Sequence, residues 1–389
     1  MPRTSWHVPA MLALALGGFG IGTTEFVTMG LLPDIAADFT ISEPTAGHAV
    51  SAYALGVVVG APLIAALAAR VPRKKLLIAL MVAFTVGNAA TVLAPTFATL
   101  TLARFVSGLP HGAYFGVASL AAATLAPVGQ RAKAVAAVML GLSVANVIGV
   151  PGATWLGQHL GWRDAYVVVA VIGVATVAAL WRFVPDLSGM KITNPITELG
   201  ALRRPQVLLT LAVGAIGFGG MFAVYTYIAT TMTDVAGMPI GAVPVVLALF
   251  GLGMIAGNIL GGVLADRGVD RSIFAALLAM VVILAGFVLA AHNPITASIG
   301  AFLVGASGAA LAPGLQTRLM DVAADAQTLA AALNHAALNM ANAAGAWLGG
   351  LVIAAGLGYT APAAVGALLA VLGVALFTVT VWVGRSASR

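Results

Sequence analysis

The sequence predicts an all-α integral membrane protein: twelve transmembrane helices arranged as two pseudo-symmetric six-helix bundles. Three observations predict it. Of 389 residues, 61% are apolar and 8% charged, whereas a water-soluble chain carries roughly a quarter charged residues to cover its surface. Apolar stretches of about 20 residues, enough to cross a ~30 Å hydrocarbon core as a helix, recur between short polar breaks. The second half of the chain also repeats features of the first.

The apolar runs fall at 8–32, 45–69, 75–95, 98–124, 132–158, 164–184, 206–232, 241–265, 272–291, 295–319, 328–355 and 361–383. Their continuity favours helices, because lipid-facing strands alternate apolar and polar residues over about ten positions. The first run is too long for a signal peptide, contains Glu25 and precedes no small-x-small site, so it is expected to be retained.

Basic residues cluster in alternate loops, as the positive-inside rule requires. One side carries Arg3, Arg70, Arg73, Lys74, Lys75, Arg131, Lys133, Arg182, Lys191, Arg203, Arg204, Arg267, Arg271, Arg318, Arg385 and Arg389, sixteen of the eighteen Lys and Arg. Arg163 falls in an opposite loop and Arg104 inside the fourth run. This places both termini in the cytoplasm. The net charge of +6 is thus a topology signal and does not point to nucleic acid. The absence of cysteine excludes disulfides and thiol chemistry.

At an offset of about 197 residues, GVVVGAPLIAALAARVPRK (56–74) falls on GMIAGNILGGVLADRGVDR (253–271), ANVIG (145–149) near ANAAG (341–345), and Gly161-Trp162 on Gly358-Tyr359. The halves are 1–184 and 206–389, joined by a cytoplasmic linker at 185–205 with a short amphipathic turn at 196–204. Small residues recur every four positions at Gly141 to Gly157, Gly253 to Ala265 and Ala337 to Gly349. Such stripes let backbones approach in lipid. They suit either a static bundle or six-helix repeats that rock about a midplane substrate site, as in secondary transporters.

These motifs resemble the major facilitator superfamily, and within it the twelve-helix drug:proton antiporters, over essentially the whole chain. The resemblance rests on Arg70-Val71-Pro72-Arg73-Lys74 and its echo at Gly261 to Arg271, on Arg104 in LARFVSG, and on Gly141 to Gly157. GTTEFVTMGLLPDIA, ANVIGVPGATWLG and GWR look like the branch of sugar-efflux permeases and chloramphenicol exporters. The resemblance implies export across a bacterial inner membrane by a functional monomer, with Arg70, Asp266 and Arg267 at a cytoplasmic gate. The first loop motif departs from the family at Ala69 and Pro72, and the fifth run reads Gly149-Val150-Pro151-Gly152 in place of adjacent Gly-Pro.

Eleven of the twelve acidic residues fall in loops or near helix ends, leaving Glu25 within the membrane. An ionised side chain at depth costs on the order of 2.5–3.5 kcal/mol, so such residues usually line a cavity and work. Arg104 is the expected partner: both lie six or seven residues, roughly 9–10 Å, from the outer ends of antiparallel helices. A change in their separation between states would switch Glu25 between protonated and ionised forms. His111 lies two turns beyond Arg104 on the same face and suits a substrate or packing contact, or a proton relay. Asn146, Asn339 and Asn342 suit a neutral polar solute or helix-bridging hydrogen bonds, with His335 sharing the face of the last two. Met221, Phe222, Tyr225 and Tyr227 suit an aromatic or amphipathic ligand, and Asp34 a helix cap or surface position.

No GxxxxGK[ST] loop supports an ATP-driven pump, and a lone Glu with dispersed His residues supplies no enzyme site or metal site. The sequence therefore predicts a secondary transporter without cofactor, driven by a proton gradient. Its expected partners are protons, the lipid bilayer and a small, weakly polar or amphipathic substrate. A sugar or nucleoside symporter or facilitator and a transporter-shaped sensor are the alternatives.

Overall fold

The computed structural model describes residues 7–68, 71–127, 130–187, 203–323 and 327–387. Residues 196–202 of the turn expected at 196–204 and the gate residue Arg70 lie outside them. All regular structure among the described residues is helical. The spans are Val8–Gly30, Glu43–Ile64, Arg73–Val92, Ala134–Leu160, Trp162–Phe183, Pro205–Thr226, Ile240–Arg267, Val269–Ala290, Pro294–Ala323, Leu333–Ala354 and Ala361–Arg385, with Phe97–Leu125 as the fourth in chain order. Phe97–Leu125 carries Arg104, Pro110 and His111 within its length.

The breaks have local causes. The first span ends at Gly30 and the chain restarts as Leu32–Asp38 with Pro33 in its first turn, where a missing N–H costs nothing. Thr96 and Thr99 form a reciprocal capping box that starts the fourth span. Two expected continuous helices are interrupted. The fifth passes through a π turn at Ala145–Gly149 just before Pro151, and the seventh breaks at Tyr227 before a π turn at Thr231–Val235. In the fifth span Pro151 has no N–H to offer the Val147 carbonyl, and the wider turn falls there.

The repeat extends from residues to their contacts. A Cβ at Gly56 would strike the Phe105 carbonyl, and one at Gly60 would strike Leu109; at Gly253 and Gly257 it would strike Phe302 and Ala306. Each pair is displaced by 197 positions from its counterpart. Gly108 against Tyr53 and Gly305 against Phe250 repeat in the same way. The second and fourth spans, and equally the eighth and tenth, therefore meet backbone to backbone. One apolar core lies wholly within residues 10–187. A larger one joins Phe26 to Tyr166 of the first half with Val213 to Phe377 of the second.

At the end opposite the termini, Arg163 donates to Asp38 Oδ2 at 2.5 Å and to the Ala94 carbonyl at 3.2 Å, while Trp162 Nε1 donates to the same carboxylate at 3.1 Å. This explains the isolated arginine in a weakly basic loop. The Arg163 hydrogen bond holds the Asp38 carboxyl below its usual pKa, with burial opposing. At the terminal end, Arg318 pairs with Asp270 and donates to Gln206 Oε1 at 3.1 Å.

Two predictions follow from the packing and the rim. Gly257→Leu should abolish a monodisperse detergent-solubilised protein, because the Ala306 backbone cannot yield, whereas Gly262→Leu in the same helix, with nothing within 4 Å of its Cβ, should be tolerated; size-exclusion chromatography decides. Asp38→Asn should lower thermal stability at pH 7 by about 1 kcal/mol or less, since the pair is well exposed. A depressed carboxyl stabilises above its unfolded pKa, so the gap should close as pH falls through the lower folded value; melting curves at pH 7 and below pH 3 test this.

Candidate functional site

The polar centre is built from the first and fourth spans. Thr24 presents its hydroxyl and carbonyl to Arg104, which is fully buried. Arg104 NH1 donates to Thr24 Oγ1 at 2.8 Å and NH2 to the Thr24 carbonyl at 2.7 Å. The Thr24 hydroxyl then donates to Asn88 Oδ1 at 2.5 Å, and Asn88 Nδ2 to the Phe84 carbonyl at 2.8 Å. Tyr53 and Tyr166 stand beside the guanidinium, its carbon 4.5 and 5.2 Å from their ring centroids, a favourable cation–π geometry. Tyr166 is held in turn by Thr28 at 2.6 Å.

Glu25 is the neighbour of Thr24, yet it forms no ion pair with Arg104 closer than 4.0 Å; among the described residues such pairs are Arg163–Asp38 and Arg318–Asp270. The expected direct contact is therefore absent in this conformation. Successive helical residues point about 100° apart, and Arg104 follows Thr24. The Glu25 carboxylate makes no hydrogen bond among the described residues and stays 6% exposed. It lies within electrostatic range of Arg104, Tyr53 and Tyr225.

The two-turn spacing of Arg104 and His111 brings both onto Tyr53, whose hydroxyl lies 3.1 Å from His111 Nδ1. The His111 ring meets Phe115 edge-on at 5.3 Å, and Phe115 stacks on His335 of the eleventh span at 5.7 Å. The chain Arg104–Tyr53–His111–Phe115–His335 thus crosses between the halves. Sequence reasoning missed Tyr53, Tyr166, Thr24 and Asn88. With six tyrosines in the chain, a tyrosine inside an apolar run was the available signal.

On the other side of the first span, Phe26 stacks on Phe222 at 6.2 Å and meets Tyr225 at 5.7 Å, and Tyr225 stacks on Phe250 at 3.9 Å. The Tyr225 hydroxyl is buried without a partner. Tyr227 instead donates to the Ala346 carbonyl at 2.9 Å, and Met221 fills the space left by Gly308. Asn146 and Asn339 each donate Nδ2 to the carbonyl four residues back, at 3.0 Å. Their Oδ1 atoms, and both polar atoms of Asn342, are buried and unpartnered. Each such atom costs about 1–3 kcal/mol until something bonds it, a cost that a solute or a change of packing removes.

Asp266 and Arg267 are exposed at the end of the eighth span. Among the described residues the ion pair at that end is Asp270–Arg318, with Asp270 in the first turn of the ninth span and Arg318 on the tenth. Hydrogen bonds between the halves gather toward the other end: Ser51 to the Ala343 carbonyl at 3.0 Å, Gln158 to the Ile240 carbonyl at 3.3 Å, and Thr230 to Glu43 Oε2 at 2.5 Å.

Comparison with known proteins identifies the family and the fold. The family model described as Major Facilitator Superfamily matches residues 14–297 and 232–389. The Inner membrane transport protein YdhP of Escherichia coli K12 is 43% identical over 94% of both chains. A chloramphenicol resistance protein of Streptomyces lividans is 36% identical over 89% of this chain and 88% of its own. Among solved structures, that of a D-xylose-proton symporter superposes with a TM-score of 0.75 at 17% identity, covering 95% of this chain and 97% of the other. By sequence and by fold, this multi-pass membrane protein belongs to the Major Facilitator Superfamily.

Proposed function

We propose that the chain is a proton-coupled exporter of small, weakly polar or amphipathic compounds, working as a monomer in a bacterial inner membrane with both termini in the cytoplasm. The halves 1–184 and 206–389, joined through 185–205, rock about the centre. The proton gradient is the energy source, and no cofactor takes part. The observation that carries the proposal is Glu25: a carboxylate in the middle of an apolar span, lacking a hydrogen bond, one residue from the threonine that anchors Arg104. The chloramphenicol resistance protein among its relatives supports the substrate class.

In the proposed cycle, Glu25 takes a proton from outside as substrate leaves, the halves rock, and the proton passes to the cytoplasm. Ionised Glu25 turns toward Arg104; protonated Glu25 lets go. Each net charge moved inward gains about 2.3 kcal/mol per 100 mV, enough for roughly fiftyfold accumulation. Met221 and Tyr225 contact the apolar body of the substrate, while His111, Asn146, Asn339 and Asn342 contact its polar groups. The unpartnered amide oxygens favour a second reading, a symporter or facilitator for a hydroxylated solute such as a sugar or nucleoside.

Flux of chloramphenicol and of labelled sugars into proteoliposomes under an imposed pH gradient distinguishes the two readings. Glu25→Gln should reduce gradient-driven flux at least about tenfold while leaving substrate exchange without a gradient intact. Flux indifferent to both gradient and mutation would make the protein a facilitator and Glu25 structural. Arg104→Lys keeps the charge but loses the two-pronged grip on Thr24; gradient-driven flux should again fall by about tenfold, with the folded yield retained.

A further inference from the structure

At the end opposite the termini lies a cleft of about 620 Å³, within the range of small-molecule sites. One wall is Pro33, Ala36, Ile41 and Pro44 of the first half; the other is Ile353 and Tyr359 of the second. We propose that this cleft is a second ligand site, separate from the Glu25 centre, and that it takes an amphipathic organic cation.

Seven of the ten lining residues are apolar in type, their surface is interleaved with polar groups, and the carboxylate among them is Glu43. Thr230 donates to Glu43 Oε2 at 2.5 Å, and the Tyr359 hydroxyl lies beside it. A carboxylate offers about four acceptor positions, so capacity remains for an ammonium group. The surroundings reinforce that sign. Asp234 acts on Glu43 electrostatically, and this end carries Asp34, Asp38, Glu43, Asp164 and Asp234, while its arginine, Arg163, is paired with Asp38. A cleft in a field of one sign concentrates cations and turns anions away, and Tyr359 in its lining is of the aromatic type that takes a quaternary ammonium. Because the walls belong to different halves, an occupant contacts both and binds the sealed arrangement in preference to one in which they part.

Benzyltrimethylammonium, titrated calorimetrically into the purified full-length protein, tests this directly. Saturable binding is expected, at least about tenfold weaker in Glu43→Gln, and abolished in Ala37→Trp, which fills the cleft without removing charge. Neopentylbenzene, its neutral carbon isostere, and benzylsulfonate should bind at least about tenfold more weakly. Glu25→Gln should bind like wild type. Absence of saturable binding to wild type, undiminished binding in Ala37→Trp, equal binding of the neutral isostere, or loss in Glu25→Gln would each overturn the proposal. Should Glu43→Gln fail to fold, Ala37→Trp and the isostere decide alone.

Discussion

The structure depends on how a buried guanidinium is held, its two terminal nitrogens bonded and its Nε left without a partner. Arg104 is fully enclosed, and an unpaired charge at that depth would cost several kcal/mol. Two hydrogen bonds donated to Thr24 and two tyrosine faces offset the cost. Those contacts fix the register of the first span against the fourth and bring the second and sixth spans in through Tyr53 and Tyr166. Asn88 adds the third. Five helices of the first half thus converge on one cation, and Glu25 sits where it does because Thr24 precedes it.

The second half repeats the packing without the charge. At the 197-residue offset, Glu25 corresponds to Phe222, Arg104 to Ala301 and His111 to Gly308. The glycine contacts that clamp the second span to the fourth recur between the eighth and tenth, so the scaffold is common to both. The buried carboxylate and guanidinium are confined to one half, which faces an aromatic surface made of Phe222, Tyr225 and Phe250. In the proposed cycle a solute between them would meet different chemistry on each side.

Much of the scaffold was legible in the sequence because membrane burial leaves strong marks: long apolar runs, basic loops and glycines at fourfold spacing. The runs match the helices to within a few residues. Helix interruptions were not legible, since the π turn at Ala145–Gly149 depends on how Pro151 and its neighbours pack. For the site, Glu25 and Arg104 stood out as charges in lipid, but their relative orientation did not, because depth along two helices says nothing of rotation about them. Tyr53 went unnoticed because a tyrosine in an apolar run looks like packing until its partners are known. Asp270 and Arg318 were likewise indistinguishable from other loop charges until the ninth and tenth spans were placed side by side.

The uneven fastening of the halves has a mechanical consequence. Hydrogen bonds across the seam are concentrated near Glu43, Gln158 and Ser51, whereas toward the termini the link noted above is a ring contact, Phe115 on His335. Under the proposed rocking, two bodies pinned near one end would behave as a lever. Over a ~30 Å arm, a rotation of roughly 10° displaces the far end by about 5 Å, the width of a small molecule, while the pinned end shifts by little more than a bond length.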